Sequence, residues 1–438
     1  MNLVETVRNS GVIGAGGAGF PTHVKLQAKS DTILINGAEC EPLLRVDQEL
    51  AAAHADRLVQ GLAAVLEATG AKQGIFALKN KYHRAEAALT QAVKAYPNMR
   101  LCLLDDRYPA GDEQVLVYET TGRVVPPGGI PPAIGVTVLN VETLYNVALA
   151  SQGQPVITKY VTVTGAVAKP ATVAVPLGTS FADLLELAGG PTTSRYGWID
   201  GGPLMGKLAG AGDVVTKTTK GIIVLPEGHS CLTIRQVPLG AQIRRAAAVC
   251  CNCRMCTDLC PRYLLGHPLE PHRSLNAAAY GLVDSAAHYT QAYLCSECGV
   301  CDTFACPMGL SPRQLHQEMK RQLAAAGVAN PFRDRPAVPR REREWRRIPS
   351  ARLLARLNLS AYNVPAPLRE EEFRPAAVTI LLKQGTGVAA QPVVQAGAYV
   401  NRGQIIAEPP PGKLGSVQHA SIDGQVVEIE RAITIKAV

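Results

Sequence analysis

The sequence predicts a multidomain chain: an α/β domain, a β-grasp domain, a helical domain built around cysteines, and a small all-β domain. Three observations lead to this prediction. Buried strands alternate with alanine-rich helices up to about residue 150, the hydrophobic period becomes two near residue 157, and eight of the twelve cysteines are regularly spaced in two short central runs. A chain of 438 residues is long enough for such a series of domains.

The first domain, residues 1–156, has the pattern of a largely parallel sheet. We expect a helix over about the first ten residues and further helices at Gln48–Ala68 and His83–Ala95. Buried strands are expected at Asp31–Asn36, Gly74–Leu78 and Arg100–Leu104. Strands that alternate with helices in this way form parallel sheets covered by helices, which is the α/β class.

The second and last domains have the patterns of small β folds. Tyr160–Gly165 alternates with period two, Ala171–Val175 follows after a turn, and a single helix at Phe181–Ala188 comes next. This order is typical of a ubiquitin-like β-grasp, which we assign to residues 157–237. Short strands separated by glycine turns at residues 376–438 predict a small β-sandwich.

Two cysteine runs, each closed by proline, carry the strongest functional signal. The first run contains Cys250, Cys253, Cys256 and Cys260, and the second contains Cys295, Cys298, Cys301 and Cys306. This spacing matches bacterial ferredoxins with two 4Fe-4S clusters, in which the fourth cysteine of each run binds the other cluster. We therefore predict one ligand set of Cys250, Cys253, Cys256 and Cys306, and another of Cys295, Cys298, Cys301 and Cys260.

The domain around these cysteines, residues 238–328, is predicted to be ferredoxin-like and helical between its cysteine loops. Zinc is the alternative metal, because CxxC pairs also form zinc ribbons. Four cysteines in each run with a closing Cys-Pro disfavour it. The sequence therefore predicts a protein that transfers electrons.

A glycine-rich segment near the N-terminus is the second strong signal. Gly14, Gly16 and Gly19 satisfy a GxGxxG pattern, but a helix is expected before them and a strand after them, which is the wrong order for a Rossmann fingerprint. Glycines still let backbone N–H groups surround a phosphate, and a following helix N-terminus favours its charge. Lys25 lies close enough in sequence to reach the same phosphate. A purely structural glycine turn is the alternative.

This segment and three others together resemble a known flavoprotein domain. The other three are residues 35–42 (INGAECEP), 108–113 (YPAGDE) and 139–143 (LNVET). They resemble the flavin-binding domain of the NADH-oxidising subunit of respiratory complex I and, more closely, the RnfC subunit. The resemblance implies that the first domain binds FMN and takes electrons from NADH.

The resemblance also implies which residues bind the cofactors. Those at the FMN phosphate would be Gly14, Gly16, Gly17, Gly19 and Lys25. Those at the flavin would be Asn36, Glu39 and Asn140, while Phe20 would stack near the nicotinamide of NADH. Glu113 would help to position that nicotinamide, in a loop with Gly111 and Asp112. Complex I has Gly-Glu-Glu where this chain has Gly111-Asp112-Glu113, which alters the expected NADH contact.

The resemblance covers nearly the whole chain. Residues 157–237 look like a soluble-ligand-binding β-grasp (SLBB) domain, and residues 376–438 look like the barrel-sandwich domain of RnfC, which we interpret as a docking domain. That unit comes first in RnfC and last here, an order similar to PduS-type cobalamin reductases of propanediol-utilisation microcompartments. This order implies an NADH-dependent oxidoreductase that passes single electrons from FMN through two 4Fe-4S clusters to cobalamin.

The same resemblance implies a cytoplasmic protein inside a bacterial microcompartment. Its partners would be cobalamin or a corrinoid-handling adenosyltransferase, a shell protein, or another electron-transfer protein, and an oligomer is compatible with all of these. Two alternative functions stay open. One is an RnfC-like NADH:ferredoxin-type subunit with a protein acceptor, and the other is a non-catalytic electron-carrying docking scaffold.

Charge and hydropathy argue against other classes of protein. Much of the net charge of +8 comes from nine arginines in residues 333–356, within an Arg/Pro-rich segment that we predict as a linker, residues 329–375. Prolines interrupt this stretch and aromatic residues are scarce, so we expect its arginines to pair with acidic protein surfaces and not with nucleic acid. No apolar run approaches the length of a membrane span, and no secretory signal is expected at the N-terminus.

Overall fold

The computed structural model describes residues 2–282, 284, 286–333 and 335–438. Its first domain contains seven helices: α1 (Leu3–Asn9), α2 (Thr22–Lys25), α3 (Val46–Ala53), α4 (Ala55–Thr69), α5 (His83–Ala92), α6 (Glu113–Thr121) and α7 (Val141–Ser151). Its strands are β1 (Thr32–Gly37), β2 (Gln73–Lys79), β3 (Met99–Leu104), β4 (Arg107–Tyr108) and β5 (Val136–Asn140). Four of them form a parallel sheet in the order β3-β2-β1-β5.

The three predicted strands of this domain are confirmed, but one predicted helix needs correction. The helix expected at Gln48–Ala68 is two helices, α3 and α4, because the backbone of His54 leaves the helical region between them. Residues 139–143 are the end of β5 and the start of α7. Gly61 of α4 lies so close to Ala148 of α7 that a Cβ on it would be 2.9 Å from the alanine methyl group.

The second domain is a β-grasp, as predicted. It consists of β6 (Thr158–Gly165), β7 (Ala171–Pro176), α8 (Phe181–Leu187), β8 (Tyr196–Asp200), β9 (Lys207–Ala209) and β10 (Gly221–Pro226). Strand β6 pairs with β7 in the antiparallel direction and with β10 in the parallel direction. Ser180 caps α8 by accepting a hydrogen bond from the backbone of Asp183.

The cysteine-bearing region is helical, as predicted. Helix α9 (Ser230–Gln236) leads from the β-grasp domain into this region, whose helices are α10 (Leu239–Val249), α11 (Met255–Asp258), α12 (Pro261–Leu264), α13 (Pro271–Ala279), α14 (Ala286–Thr290) and α15 (Pro312–Ala325). Ala246, Leu275 and Leu315, on three of these helices, meet in one small core. Residues Val300–Phe304 form a single π-helical turn around Cys301.

The segment predicted as a linker, residues 329–375, is instead packed against the first two domains. It contains α16 (Arg343–Arg346), β11 (Ile348–Pro349), α17 (Ser350–Arg356) and β12 (Leu368–Arg369). Strand β11 pairs with β4 of the first domain, and β12 extends the β-grasp sheet beside β7. The linker prediction is therefore wrong for this part, because buried residues such as Leu353 hold it in place.

Several arginines of this segment pair with acidic groups on the same protein. Arg343 pairs with Glu119 of α6, and Arg346 lies 3.7 Å from Asp258 of α11. Arg340 stacks on the ring of Tyr263, with its guanidinium carbon 3.8 Å from the ring centre. These contacts join the first domain to the cysteine-bearing region.

The last domain is an all-β sandwich of two small sheets. Its strands are β13 (Ala377–Leu381), β14 (Gln391–Pro392), β15 (Tyr399–Val400), β16 (Ile405–Glu408), β17 (Gln418–His419), β18 (Gly424–Ile429) and β19 (Ala432–Lys436). The sheets have the orders β13-β19-β18-β15 and β14-β16-β17 and enclose a core that includes Ile380, Val426 and Ile433. Among the helices of the described residues, none is long and apolar enough to cross a membrane.

Candidate functional site

The glycine-rich segment forms a closed loop that projects from the first domain. Its base is held by a bridge between Ile13 and Pro21, and the Gly14 N–H donates to the Phe20 carbonyl at 2.9 Å. Gly16 and Gly17 are exposed, and no atom lies within 4 Å of the position of a Cβ on Gly17. The exposed backbone leaves room for a phosphate. The helix after the loop, α2, has only four residues, so the expected contribution of its N-terminus is small.

The loop lies beside the carboxyl ends of β5 and β1, where ligands bind in parallel sheets. A Cβ on Gly16 would be 3.0 Å from the amide of Asn140, which caps α7 and donates to Asp47 Oδ2 at 2.8 Å. Asn36 donates to the Gly111 carbonyl at 2.9 Å. The structure therefore brings Gly16, Asn140, Asn36 and Gly111 together in one continuous site.

Glu39 is a buried carboxyl group at this site. Its Oε2 accepts a hydrogen bond from the Asp47 N–H at 3.2 Å, whereas its Oε1 has no partner among the described residues. Burial, reinforced by the charge of Asp47, raises the pKa of Glu39 to about 8. A buried oxygen without a partner fits a site that hydrogen-bonds a cofactor.

The remaining predicted residues have more varied positions. Lys25 and Glu113 are brought together by an ion pair of 3.0 Å, and Lys25 also donates to the Val138 carbonyl at 3.2 Å. Phe20 is half-buried at the end of the loop, and Gly19 is buried. The loop that carries Gly111 is tightly packed, since a Cβ there would lie 2.4 Å from the Ala38 carbonyl oxygen.

Asp112 joins the start of α6 to the cysteine-bearing region. Its Oδ1 accepts hydrogen bonds from two backbone N–H groups at the start of α6, both at 3.1 Å. Its Oδ2 accepts from Arg262 of α12 at 3.0 Å. Both oxygens are therefore engaged at the boundary with the cysteine-bearing region, and the cofactor-binding role of Asp112 stays a prediction.

The eight cysteines of the two runs line two separate cavities. We call the first the inner site; its cysteines are Cys260, Cys295, Cys298 and Cys301. We call the second the outer site; its predicted ligands are Cys250, Cys253, Cys256 and Cys306, and Cys251, which is off the ligand spacing, also borders this cavity. Each set takes its fourth cysteine from the other run, which is the grouping that the spacing predicts.

The chemistry of both cavities suits a cationic cluster. Burial raises the pKa of Cys260 and Cys256 to about 12, and for Cys256 the neighbouring Cys306 adds to the effect. Bound iron would offset both the burial of the thiolates and the repulsion between them, because a metal supplies positive charge. Across residues 2–282, 284, 286–333 and 335–438, no three cysteine, histidine or carboxylate side chains converge as a site for a single metal ion would require.

The inner site is joined directly to the first domain. The hydroxyl of Tyr108, at the end of β4, donates to the Cys298 carbonyl at 2.6 Å. Glu41 accepts hydrogen bonds from the backbone of Leu204 and Met205, at 2.8 and 3.2 Å, and its carboxylate lies 3.1 Å from the Tyr108 hydroxyl. Sequence reasoning missed Tyr108, although it opens the 108–113 segment, and it missed Arg262, which directly follows Cys260-Pro261.

A network of buried charges beneath the flavin loops was also missed. Lys220 of the β-grasp domain pairs with Asp47, and Lys159 pairs with Glu142 at the start of α7. Lys220 also lies 3.7 Å from Glu142. The sequence offers no local signal for these contacts, because each joins two domains.

Comparisons with known proteins agree with this geometry. Four family models match successive parts of the chain: the Nuo51 FMN-binding domain at residues 7–149, the SLBB domain at 160–208, a 4Fe-4S dicluster domain at 249–311, and the RnfC barrel sandwich hybrid domain at 367–437. The cofactors of this chain are therefore FMN and 4Fe-4S clusters, and the zinc alternative is set aside.

Two curated relatives match along nearly the whole length. The cobalamin reductase PduS of Citrobacter freundii is 47% identical over 98% of this chain and 95% of its own. The PduS of Salmonella typhimurium is 46% identical over the same shares. The chain belongs to the PduS family of cobalamin reductases.

Membership in the PduS family makes the chain an oxidoreductase with NADH-linked flavin and iron–sulfur electron transfer. More distant relatives match over a smaller share of the chain. One of them, a component of the Na(+)-translocating ferredoxin:NAD(+) oxidoreductase complex of Acetobacterium woodii, is 34% identical over 60% of this chain and 58% of its own. This partial match fits the predicted difference in domain order between RnfC and PduS proteins.

Proposed function

We propose that this protein is an NADH-dependent reductase that delivers single electrons to the cobalt of cobalamin, converting cob(III)alamin or cob(II)alamin to a lower oxidation state. Its place would be a propanediol-utilisation microcompartment in the cytoplasm, with a corrinoid-handling adenosyltransferase as partner. Bound FMN takes up two electrons as a hydride from NADH and releases them singly. The names and nearly full coverage of the two PduS relatives support cobalamin as the acceptor.

The cofactor-binding residues proposed for the first domain are those gathered at the carboxyl edge of the sheet. Gly16 and Gly17 offer exposed backbone for the FMN phosphate, and Asn36, Asn140 and the free oxygen of Glu39 are available to the flavin. Phe20 and Glu113 would lie at the nicotinamide, and Lys25, which pairs with Glu113, would reach the FMN phosphate. In the cysteine-bearing region, the inner and outer sites each hold one cluster through their four thiolates.

The observation that carries the proposal is the contact between the flavin loops and the inner site. Tyr108 and Asp112, which lie on either side of Gly111 in sequence, bond to Cys298 and Arg262 respectively. Arg262 is two residues from Cys260 in sequence. These bonds support a path from the flavin to the inner site, then to the outer site, and out to the acceptor.

The test is an anaerobic titration of the reconstituted full-length protein with NADH, followed by absorbance, with hydroxocobalamin added afterwards. We expect flavin bleaching, then cluster bleaching, then the spectrum of reduced cobalamin. Bleaching without reduction of cobalamin would replace this proposal with the RnfC-like function and a protein acceptor. No bleaching at all would leave the electron-carrying scaffold.

A further inference from the structure

The last domain is packed against the back of the glycine-rich loop. Gly19 of the loop and Gly385 touch through their backbones: a Cβ on Gly385 would lie 2.5 Å from the Gly19 carbonyl oxygen. Both glycines have positive φ, +66° and +123°, so side chains are excluded by conformation as well as by space. Thr218 of the β-grasp domain closes the other side, 2.9 Å from the Cβ position of Gly19.

Thr386 bonds to the loop twice. Its backbone N–H donates to the Gly19 carbonyl at 3.1 Å, and its hydroxyl donates to the Ala18 carbonyl at 2.9 Å. Two consecutive carbonyl groups are thus fixed on the side of the loop that faces the last domain. The exposed glycines, Gly16 and Gly17, precede these carbonyls in sequence.

Lys217 fixes the start of the loop in the same way. This buried lysine of the β-grasp domain donates from Nζ to the Gly11 carbonyl at 2.8 Å and to the Val417 carbonyl at 2.7 Å. Its backbone N–H donates to the side chain of Gln384 at 2.8 Å. One side chain therefore connects three domains, two residues before the base of the loop at Ile13.

We infer that Lys217, Thr218, Gly385 and Thr386, here called the clamp, are positioning residues that hold the glycine-rich loop in the conformation that binds the FMN phosphate. The last domain is then part of the flavin site, in addition to any docking function. A loop held in its bound conformation loses less entropy when the ligand binds, which raises affinity. This inference rests on the proposed role of the loop in phosphate binding.

The test uses full-length Thr386→Val, which removes the hydroxyl bond to Ala18 and keeps the backbone bond to Gly19. We expect the FMN dissociation constant, measured by flavin fluorescence, to rise about 3- to 10-fold, the value of one hydrogen bond. Thr386→Ser restores the hydroxyl and should restore the affinity. Gly385→Ala, whose methyl group would collide with Gly19, should weaken FMN binding further and raise KM for NADH more than it lowers kcat.

The matched control is Thr434→Val in the same domain, whose hydroxyl lies 3.2 Å from that of Thr379 and far in sequence from the loop. It should leave the FMN dissociation constant unchanged, with a thermal midpoint similar to that of Thr386→Val. Wild-type affinity for FMN in both Thr386→Val and Gly385→Ala would overturn the inference. Wild-type protein that binds FMN but does not oxidise NADH would overturn the proposed function instead and leave the clamp standing.

Discussion

The inner and outer sites each have four predicted thiol ligands, but their surroundings differ. Cys260, Cys298 and Cys301 of the inner site are buried, whereas Cys253 of the outer site is exposed. The inner site is bordered by groups from other domains, among them Tyr108 and the backbone of Leu204, to which Arg313 donates. The outer site is bordered by the cysteine-bearing region and the exposed Arg356 of α17.

This difference gives the pair of sites a direction. Cluster potentials depend on burial and on hydrogen bonds near the sulfurs, so two sites with different surroundings should not be equivalent electron carriers. A buried site is protected from solvent and from external acceptors, whereas an exposed one can be approached. We therefore expect electrons to enter at the inner site and to leave at the outer site.

The largest effect should follow from removing an inner ligand. In Cys298→Ser we expect NADH to bleach the flavin at the normal rate. Cobalamin reduction should fall by more than about 10- to 100-fold, which is the cost of losing a residue that merely supports a metal ligand. Stopped-flow absorbance measures flavin bleaching and cobalamin reduction, and the iron content reports the loss of a cluster. Cys251→Ser, an exposed cysteine outside the ligand spacing, should reduce cobalamin at the wild-type rate. An unimpaired Cys298→Ser protein would break the inner-to-outer order.

The next effect concerns the contact that joins the inner site to the first domain. In Arg262→Met, Asp112 Oδ2 loses a partner at 3.0 Å while both side chains are largely buried. Removing one member of such a pair costs about 3–5 kcal/mol of unfolding free energy, which urea denaturation measures. Arg321→Met, which breaks an exposed pair with Glu318 on α15, should be indistinguishable from wild type. Equal stability of both variants would mean that the Asp112–Arg262 pair does not hold the domains together.

Sequence reasoning predicted the two sites better than their connection, for a physical reason. Cysteine spacing is a local property, and the crossover of the fourth cysteine follows from the ferredoxin pattern. The bond from Tyr108 to Cys298 joins positions 190 residues apart, and nothing near either residue signals it. The same limit explains the misassigned linker: its prolines and arginines suggest an exposed chain, whereas the burial of Ile348 and Leu353 depends on surfaces supplied by other domains.

A smaller effect should appear as a pH dependence of the unfolding free energy, caused by His267. His267 is buried with its Nε2 3.1 Å from the Val125 carbonyl, and burial together with the charge of Arg262, opposed by Asp112, lowers its pKa to about 4. The unfolded chain therefore binds the proton first as pH falls below the ordinary histidine pKa. Stability is lost between about pH 6.5 and 4, with a slope near 1.4 kcal/mol per pH unit for this group.

His267→Asn should flatten that part of the stability curve, measured as urea midpoints at pH 7 and pH 5. The matched variant on the outer side is His272→Asn, at a histidine that lies beside the outer cysteines and bonds to the Thr257 hydroxyl at 2.7 Å. Its pKa is also lowered by burial, but it is less deeply buried, so its substitution should alter the curve less. A larger change in the stability curve for His272→Asn than for His267→Asn would contradict the conclusion that His267 is the more deeply buried histidine.

The smallest effect should come from charge at the rim of the outer site. Arg356 is exposed and donates to the Cys306 carbonyl at 3.4 Å, and Arg245 lies 3.9 Å from the Cβ position of Gly309. Charges at the rim of a site act mainly on association rates. Arg356→Gln should therefore slow the reduction of anionic ferricyanide about two- to fivefold at low salt. The reduction of cationic hexaammineruthenium should not be slowed. Raising the salt should erase the difference, because exposed charges are screened over about 10 Å at 0.1 M.

The matched control for this last variant is Arg195→Gln, which changes an exposed arginine of the β-grasp domain. It should leave both acceptor rates unchanged, and NADH should bleach the flavin equally fast in all three proteins. A change confined to the anionic acceptor and to Arg356 would identify the outer site as the exit for electrons. Equal slowing by both variants, or slower flavin bleaching in Arg356→Gln, would contradict that assignment, because the rim would then influence a step that precedes the clusters.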